Sequence, residues 1–269
     1  FGVNTVVTMT FRPKLVALDV DGTLVDESNI VVPRVYAAVA RVLEAGVPVI
    51  LSTGRSWASA LTVIDQLPPL TAEHVCSNGA VTVRYPPFEV VDLLTFDPRP
   101  VIDLIHAEVP DARLGVEMIG SGYQVSAPFP EGELHGDIEV VSIEEMTSKH
   151  VTRIIVRDPN SSEQEFIELA SRLGLEGVSY SIGYTAWLDI APQGVDKAHG
   201  LARVTARAGI DAADVLALGD GRNDIEMLQW AGRGVAMGNS PAEVIAAADA
   251  VTGSVTEGGL IAELDRWFS

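Results

Sequence analysis

Cysteine is almost absent from this chain of 269 residues: Cys76 is its single thiol, so no internal disulfide can form. This scarcity is typical of a reducing compartment, and we expect a cytoplasmic protein. No uninterrupted apolar run reaches the roughly 18 residues that a membrane helix needs. Residues 1–8 have no basic start, apolar segment or small-residue cleavage site, so we expect no secretory signal. Met9 is a candidate for the natural start, and the residues before it are then a vector remnant or an upstream extension.

Basic residues are also scarce, since 18 Lys and Arg stand against 37 Asp and Glu and the formal net charge is -19. This balance weighs against nucleic acid and anionic membranes as partners, because proteins that bind them are mostly basic. It also means that any site for an anionic ligand must supply its own local positive charge. The 47% of hydrophobic residues is typical of a globular protein, and the length suits one or two domains.

Short apolar runs alternate with helical patterns in two separated stretches of the chain. In the first, runs 15–18 and 47–51 predict strands, a helix is expected from Pro33 to a cap at Gly46, and a helix of about ten residues follows Arg55. The second stretch predicts, in order, helix 197–208, strand 215–218, helix 223–231, strand 234–237, a helix opened by Ser240-Pro241 and strand 250–252. The alternation predicts an α/β fold with a Rossmann-like, doubly wound parallel sheet as its core.

The middle of the chain has a different pattern and is expected to form an inserted α+β cap, or lid, over the core. It is richer in Pro and turns, with strand-like runs at 151–156 and 184–188 and a helical pattern at 162–173. The expected domain limits are 10–83 for the first part of the core, 84–187 for the cap and 188–269 for the second part. The alternative is one continuous large sheet.

Polar residues follow the apolar runs where the predicted strands end. These segments are Asp19-Val-Asp21-Gly-Thr-Leu, Ser52-Thr53-Gly54-Arg55, Asn78-Gly79-Ala80 and Gly219-Asp220-Gly-Arg-Asn223-Asp224. Ligands of an open parallel sheet bind outside these carboxyl ends. Any one of the aspartates is more often a cap of the next helix or turn, but their occurrence at successive strand ends favours a common site.

Carboxylates gathered at one edge of a sheet repel each other unless a cation lies among them. Oxygen donors without Cys or His suit a hard ion, and a site shared with a substrate phosphate suits Mg²⁺. The five histidines show no metal-ligand spacing.

The four segments resemble, in order and spacing, the motifs of the haloacid dehalogenase superfamily, in its Cof-type sugar-phosphatase-like branch. That branch carries a large lid between its second and third motifs. Further segments resemble its pattern: Gly194-Val-Asp-Lys197, Met237-Gly-Asn239 and Thr256-Glu-Gly-Gly259. The resemblance covers residues 14–80 and 189–264, whereas the lid matches in size and placement only. It implies a Mg²⁺-dependent phosphatase acting on a small phosphorylated metabolite, with sugar phosphates as the leading class.

The resemblance also implies a role for each acidic residue. Asp19 would attack phosphorus to form an aspartyl-phosphate, and Asp21 would protonate the leaving alcohol and later deprotonate the attacking water. Lys197 would bind Asp19 and the phosphoryl group together, although a surface lysine at a helix start is the common alternative. Mg²⁺ would be held by Asp19, Asp220 and the backbone carbonyl of Asp21, with Asp224 orienting the metal shell or Lys197.

Substrate and phosphate contacts are expected mainly from residues of the second, third and fourth strand ends. Thr53 would bind a phosphate oxygen together with the amide of Gly54 at a helix N-terminus, although this turn is also an ordinary helix start. Asn223 is expected to touch phosphate. Asn78 and Gly79 either contact substrate at the mouth of the site or only form a turn.

Specificity is expected to lie in the lid, which contacts the leaving group. The lid cations are each more often solvated surface than ligands of a second anionic group: Arg113, Lys149, Arg153 and Arg157. In the core, Arg55 either adds positive charge to the site or braces its turn. Two other functions stay open from the residues alone, a phosphomutase with the same core and a phosphometabolite-binding protein without catalysis.

Overall fold

A computed structural model of the chain describes residues 11–158, 162, 164, 168, 178–182 and 187–269. Strands and helices are numbered along the chain. Its central sheet is made of β1 (Leu15–Leu18), β2 (Val49–Leu51), β12 (Val215–Gly219), β13 (Arg233–Ala236) and β14 (Ala250–Val251). These strands have the order β14-β13-β12-β1-β2 and all pair in parallel. The predicted parallel core is confirmed.

Helices pack on both faces of this sheet. They are α1 (Pro33–Glu44), α2 (Trp57–Ile64), α5 (Lys197–Ala208), α6 (Ile225–Trp230), α7 (Ala242–Ala247) and α8 (Gly259–Asp265). Successive side chains of β1 point to opposite faces. Val16 and Leu18 therefore pack with α1, α2 and α8, while Leu15 and Ala17 pack with α5, α6 and α7.

The ends of α1 and α5 follow from single residues. Pro33, whose fixed φ suits the first helical position, begins α1, and Gly46 follows its end with a φ of 76°. Asp196 caps α5 by accepting a hydrogen bond from the His199 backbone N–H at 2.8 Å, and Gly209 ends it with a φ of 66°.

A small antiparallel sheet extends the core beyond β2. It contains β3 (Glu73–Cys76), β4 (Val81–Arg84) and β5 (Glu89–Leu93). A parallel bridge between Ser52 and Val75 joins it to the core. The backbone N–H of Leu51 also donates to Nδ1 of buried His74 at 3.2 Å.

A separate sheet forms the cap. Its strands are β6 (Arg113–Met118), β7 (Gly122–Val125), β8 (Asp137–Val140), β9 (Ile154–Arg157), β10 (Val178–Ile182) and β11 (Trp187–Pro192), in the order β10-β11-β9-β6-β7-β8. All its pairs are antiparallel except β7 with β8. The α+β cap is thus confirmed, and the alternative of one continuous sheet is wrong.

The limits of the domains stay predictions. Arg84, at the expected start of the cap, is the last residue of β4 and pairs with Glu89 of β5. Strand β11 crosses the expected limit between residues 187 and 188. The helix expected over residues 162–173 lies outside the described residues, apart from isolated positions, as do residues 184–186 of the strand expected at 184–188.

The two faces of the cap sheet differ in chemistry. One face, which includes Leu114 and Ile154, packs against α3 (Arg99–Glu108) and α4 (Ile143–Met146). Strand alternation turns Glu117, Arg153 and Asp189 to the other face. None of the helices in the described part of the chain is both long and apolar enough to cross a membrane.

Candidate active site

The carboxyl ends of β1, β2, β3 and β12 converge on one cleft. Asp19 directly follows β1, Thr53 lies two residues after β2, and Asp220 directly follows β12. A 3-10 turn at Ser77–Gly79 continues β3 into the same region. The parallel order of the core strands therefore brings the four predicted segments together.

Lys197, the first residue of α5, lies at the centre of this region. Its side chain is completely buried, and its Nζ donates hydrogen bonds of 2.6 Å to Asp19 Oδ1 and 2.6 Å to Asp224 Oδ1. The alternative of a surface lysine is therefore wrong. Burial lowers the pKa of Lys197, but the carboxylates of Asp19 and Asp224 outweigh it and hold that pKa above its ordinary value.

Asp224 uses both carboxylate oxygens within the protein. While Oδ1 accepts from Lys197, Oδ2 accepts from the backbone N–H groups of Asp220 at 3.0 Å and Gly221 at 2.9 Å. A 3-10 turn at Arg222–Asp224 brings the side chain back over the end of β12. Asp224 thus orients both Lys197 and the Asp220 loop.

Asp19, Asp220 and Asp224 form a buried acidic cluster in which one oxygen of each lies within 4.8 Å of the others. Burial and then Asp224 raise the pKa of Asp19 well above its ordinary value, despite the opposing effect of Lys197. Burial and Asp224 also raise the pKa of Asp220 to about 7. Three carboxylates share one ammonium group, so the cluster favours an added cation.

The chemistry of the cluster fits a hard divalent ion. Its donors are carboxylate oxygens, without nitrogen or sulfur ligands. Asn239 Nδ2 donates hydrogen bonds to Asp220 Oδ2 at 2.8 Å and to the Gly22 carbonyl at 3.0 Å. Gly22 has a φ of 74°, and a Cβ there would lie only 2.1 Å from Asp220 Oδ2. Glycine at this position therefore keeps space beside the cluster.

Asp21 does not join this cluster through its side chain. Its carboxylate is 62% exposed and forms a bidentate ion pair with Arg55. Arg55 Nε donates to Asp21 Oδ2 at 2.9 Å, and Nη2 donates to Oδ1 at 2.5 Å. Asp19 and Asp21 therefore have different surroundings, the first buried beside Lys197 and the second at the mouth of the cleft.

The polar residues of the second, third and fourth strand ends are tied to each other. Asn223 Nδ2 donates to Asn78 Oδ1 at 2.9 Å, and both side chains lie against Gly54. Thr53 is buried and its Oγ1 accepts from the Arg55 backbone N–H at 3.1 Å. Gly79, with a φ of 99°, packs on the carbonyl of Asp196, the residue before Lys197. Gly54, Asn78 and Asn223 thus form one wall of the cleft, and Thr53 and Gly79 are buried next to it.

The cap closes the opposite side of the cleft, whose volume is about 270 Å³. The cap residues that line it are Tyr123, Glu133, Leu134, His135, Arg153 and Asp189. The expectation that Arg153 is solvated surface is wrong. Its side chain is 5% exposed, because Asp189 binds two of its nitrogens, at 2.8 and 2.5 Å, and the carbonyl of Gly54 accepts from a third at 2.7 Å.

Several of these residues are absent from the predicted site. Asn239 lies in the Met237-Gly-Asn239 segment, so the resemblance of that segment was a usable signal. Asp189 stands between Leu188 and Ile190, which face the opposite side of the cap sheet. A charged residue inside such an alternation was the available sign of a second, functional face.

Known proteins match the chain over nearly its whole length. The family model described as haloacid dehalogenase-like hydrolase matches residues 16–264. The pyridoxal phosphate phosphatase YbhA of Escherichia coli is 31% identical over 90% of the chain and 94% of its own length. The 5-amino-6-(5-phospho-D-ribitylamino)uracil phosphatase YitU of Bacillus subtilis is 26% identical over 97% of the chain and all of its own length. The solved phosphatase BT1666 of Bacteroides thetaiotaomicron has a TM-score of 0.80, with 29% identity over 99% of both chains.

Proposed function

Because the chain belongs to the haloacid dehalogenase-like hydrolases, in their Cof-type branch, we propose that it is a Mg²⁺-dependent phosphatase of small phosphorylated metabolites, with sugar phosphates as the leading class. One observation carries the proposal. The buried Lys197 ammonium group bridges Asp19 and Asp224 at 2.6 Å each, where the segments after the adjacent strands β1 and β12 meet. That geometry supplies a nucleophile and a cation for the phosphoryl group at one point of a very acidic protein.

The reaction proceeds in two displacements. A carboxylate oxygen of Asp19 attacks phosphorus, and the bond between phosphorus and the ester oxygen breaks while Asp21 gives its proton to the leaving alcohol. Water then attacks phosphorus, its proton passes to Asp21, and the bond to Asp19 breaks to release inorganic phosphate. The division needs one aspartate ionised while the other is protonated. Asp19 is buried at the acidic cluster, where a bound cation would favour its ionised form, and Asp21 lies apart from it at the mouth of the cleft.

The acidic cluster would hold Mg²⁺ through Asp19, Asp220 and the backbone carbonyl of Asp21, and Asp224 would orient this shell. When bound, Mg²⁺ supplies positive charge that favours ionised Asp19 and offsets charge on the phosphoryl oxygens. Lys197 stabilises the same charge from the side of α5.

Thr53, Gly54 and Asn223 would bind the phosphoryl oxygens, and Asn78 would complete that wall. Support comes from the contacts of Asn78 and Asn223 with each other and with Gly54. Thr53 Oγ1 can keep accepting from the Arg55 N–H while its own proton is donated to a phosphate oxygen.

The described part of the cap wall supports a hydroxyl-rich leaving group. Tyr123, His135 and Asp189 offer hydrogen-bond donors and acceptors to the cleft. Its cation Arg153 is already paired with Asp189, and its carboxylate Glu133 is paired with Arg157, which lies outside the lining. Neutral polyols suit such a wall better than a leaving group that carries a second anion.

The experiment is phosphate release from a panel of phosphorylated metabolites, with Mg²⁺ or EDTA, by the wild-type protein and Asp19→Asn. The panel includes sugar phosphates and phosphoglycolate, whose leaving group is anionic. Release should need Mg²⁺ and Asp19, and the sugar phosphates should rank above phosphoglycolate. Isomerisation of a sugar phosphate without net release would instead support a phosphomutase, and binding without either reaction a non-catalytic protein.

A further inference from the structure

Glu117 of the cap sheet reaches across to the core and is buried there. Its Oε2 accepts hydrogen bonds from Ser77 Oγ at 2.5 Å and from Thr152 Oγ1 at 3.2 Å. Ser77 belongs to the core turn after β3, whereas Thr152 belongs to the cap itself. One carboxylate oxygen thus joins the two parts of the molecule.

Stability alone does not explain a carboxylate at this position. Glu117 is 7% exposed, and its Oε1 has no hydrogen-bond partner among the described residues. Burial raises the pKa of Glu117, although Arg153, Ser77 and Thr152 favour the charged form. A buried carboxylate with one unsatisfied oxygen costs free energy that an apolar side chain of similar size would not.

The residue that Glu117 holds has an unusual backbone conformation. Ser77 and Asn78 both lie in the left-handed region, with φ values of 49° and 51°, which residues with a Cβ adopt only at a cost. The Ser77 N–H donates to the carbonyl of Arg55 at 2.8 Å, and the Asn78 N–H to that of Thr53 at 3.1 Å. This conformation places the Asn78 side chain against Gly54 and within 2.9 Å of Asn223.

A second cap residue forms a hydrogen bond with the neighbouring core loop. Arg153 donates to the carbonyl of Gly54 at 2.7 Å, while Asp189 holds its other nitrogens. The cap therefore contacts the turns after β2 and after β3, which are the two turns that carry Thr53 and Asn78.

We propose that Glu117 is a positioning residue for phosphate binding: through the Ser77 hydroxyl it holds Asn78 in the left-handed conformation that directs its amide to the phosphate pocket. The cap thereby completes the phosphate site in addition to covering the leaving group. This inference rests on the proposed function, since it assigns Asn78 to the phosphoryl oxygens.

Ser77 and Thr152 offer a matched pair of variants, because each donates to the same oxygen of Glu117 but only Ser77 belongs to a core loop. We expect Ser77→Ala and Glu117→Ala to lower kcat/KM at least about tenfold. Thr152→Val should change kcat/KM less than about twofold. Glu117→Gln keeps an acceptor for Ser77 and should retain most of the activity. In the double variant Ser77→Ala/Glu117→Ala, the loss should not exceed that of the worse single variant.

Melting temperatures and circular dichroism of all variants establish that they are folded. Equal losses in Ser77→Ala and Thr152→Val, additive losses in the double variant, or a Glu117→Gln loss equal to that of Glu117→Ala would overturn the positioning role. If wild-type protein releases no phosphate from any ester, the proposed function fails separately. In that case the affinity for inorganic phosphate in the presence of Mg²⁺, measured by calorimetry, tests the inference. Compared with the wild type, it should weaken at least about tenfold in Ser77→Ala and stay within about twofold in Thr152→Val. Equal affinities of the two variants would overturn the inference.

Discussion

Arg55 holds Asp21 by both carboxylate oxygens at the mouth of the cleft. Its side chain is 13% exposed, and its Nη1 also lies 3.4 Å from the carbonyl of Ser59 on α2. The guanidinium group is therefore fixed by the core, and the bidentate contact fixes the Asp21 carboxylate in turn. In the proposed reaction, this pair sets the position from which Asp21 reaches the leaving oxygen.

Replacing Arg55 with Ala should impair the protonation of poor leaving groups. We expect kcat/KM for a sugar phosphate to fall about 10- to 100-fold. This is less than the roughly 10²- to 10⁴-fold contribution of a positioned acid, because Asp21 itself is retained. The loss for p-nitrophenyl phosphate should be much smaller, since its leaving group departs without a proton. Steady-state kinetics on both esters check this, and Asp21→Asn should show the same selective loss.

Arg41→Ala is the control for this prediction, because Arg41 forms an exposed ion pair with Asp265 and neither residue lines the cleft. It should leave both rates unchanged. Equal losses of Arg55→Ala on the two esters would show that Arg55 acts on phosphate binding or on the turn instead.

Replacing Lys197 with Met should both stop turnover and leave three buried carboxylates without their cation. Removal of one partner from a buried ion pair typically costs about 3–5 kcal/mol, so the free energy of unfolding in EDTA should fall by that order. Turnover should fall by at least about 10²- to 10³-fold. Because the cluster becomes more negative, Mg²⁺ should raise the melting temperature of the variant more than that of the wild type. An equal effect of Mg²⁺ on both proteins would contradict the shared site.

Replacing Asp220 with Asn should weaken Mg²⁺ binding with little change in the fold. One of three clustered carboxylates is lost, and the amide can still contact Asn239. We expect the Mg²⁺ concentration for half-maximal activity to rise at least about tenfold. Asp265→Asn, at an exposed carboxylate, is the control. A Mg²⁺ titration that is unchanged in Asp220→Asn would exclude Asp220 as a ligand.

Buried His74 should make the protein sensitive to acid. Burial lowers the pKa of His74 to about 4, whereas an unfolded histidine has a pKa of about 6.5. The unfolded state therefore binds a proton that the folded state does not, and stability is lost as pH falls from 6.5 towards 4. Linkage predicts a loss of about 2 kcal/mol from this residue between pH 7 and pH 5.

Urea unfolding of the wild type and His74→Asn at pH 7 and pH 5 tests this dependence. Asn retains an acceptor near the position of Nδ1 for the Leu51 N–H but does not titrate. The variant should lose about 2 kcal/mol less than the wild type over this range. His106→Asn, at an exposed position of α3, should behave as the wild type. A wild-type loss that His74→Asn does not reduce would assign the acid sensitivity to other groups.

The core could be predicted from the sequence because its determinants are local. The run Leu15–Leu18 ends at Asp19, and the helix from Lys197 to Ala208 has the predicted bounds, with Gly209 in the left-handed conformation after it. Parallel pairing then brings strand ends together whatever the connecting loops contain. The convergence of Asp19, Lys197 and Asp220 follows from these features.

The cap side of the cleft could not be predicted in the same way. Arg153 and Asp189 are 36 positions apart, and Ser77 and Glu117 are 40 apart, so no local pattern links them. Charged residues are ordinarily interpreted as exposed, and only the tertiary contact shows that Arg153 is neutralised and buried. The pairing of Asp21 with Arg55 likewise depends on how α2 follows β2, which the sequence alone did not settle.

The covalent role of Asp19 is tested most directly by trapping the phosphoenzyme. Asp21→Asn, which should slow hydrolysis of the intermediate, is mixed with ³²P-labelled p-nitrophenyl phosphate, whose leaving group needs no proton from Asp21. The mixture is quenched in acid and digested for peptide mass spectrometry. The label should lie on Asp19 and be absent from Asp21→Asn/Asp19→Asn. The account would be contradicted if Asp19→Asn hydrolysed the ester at the same rate as the wild type and any label lay on another residue.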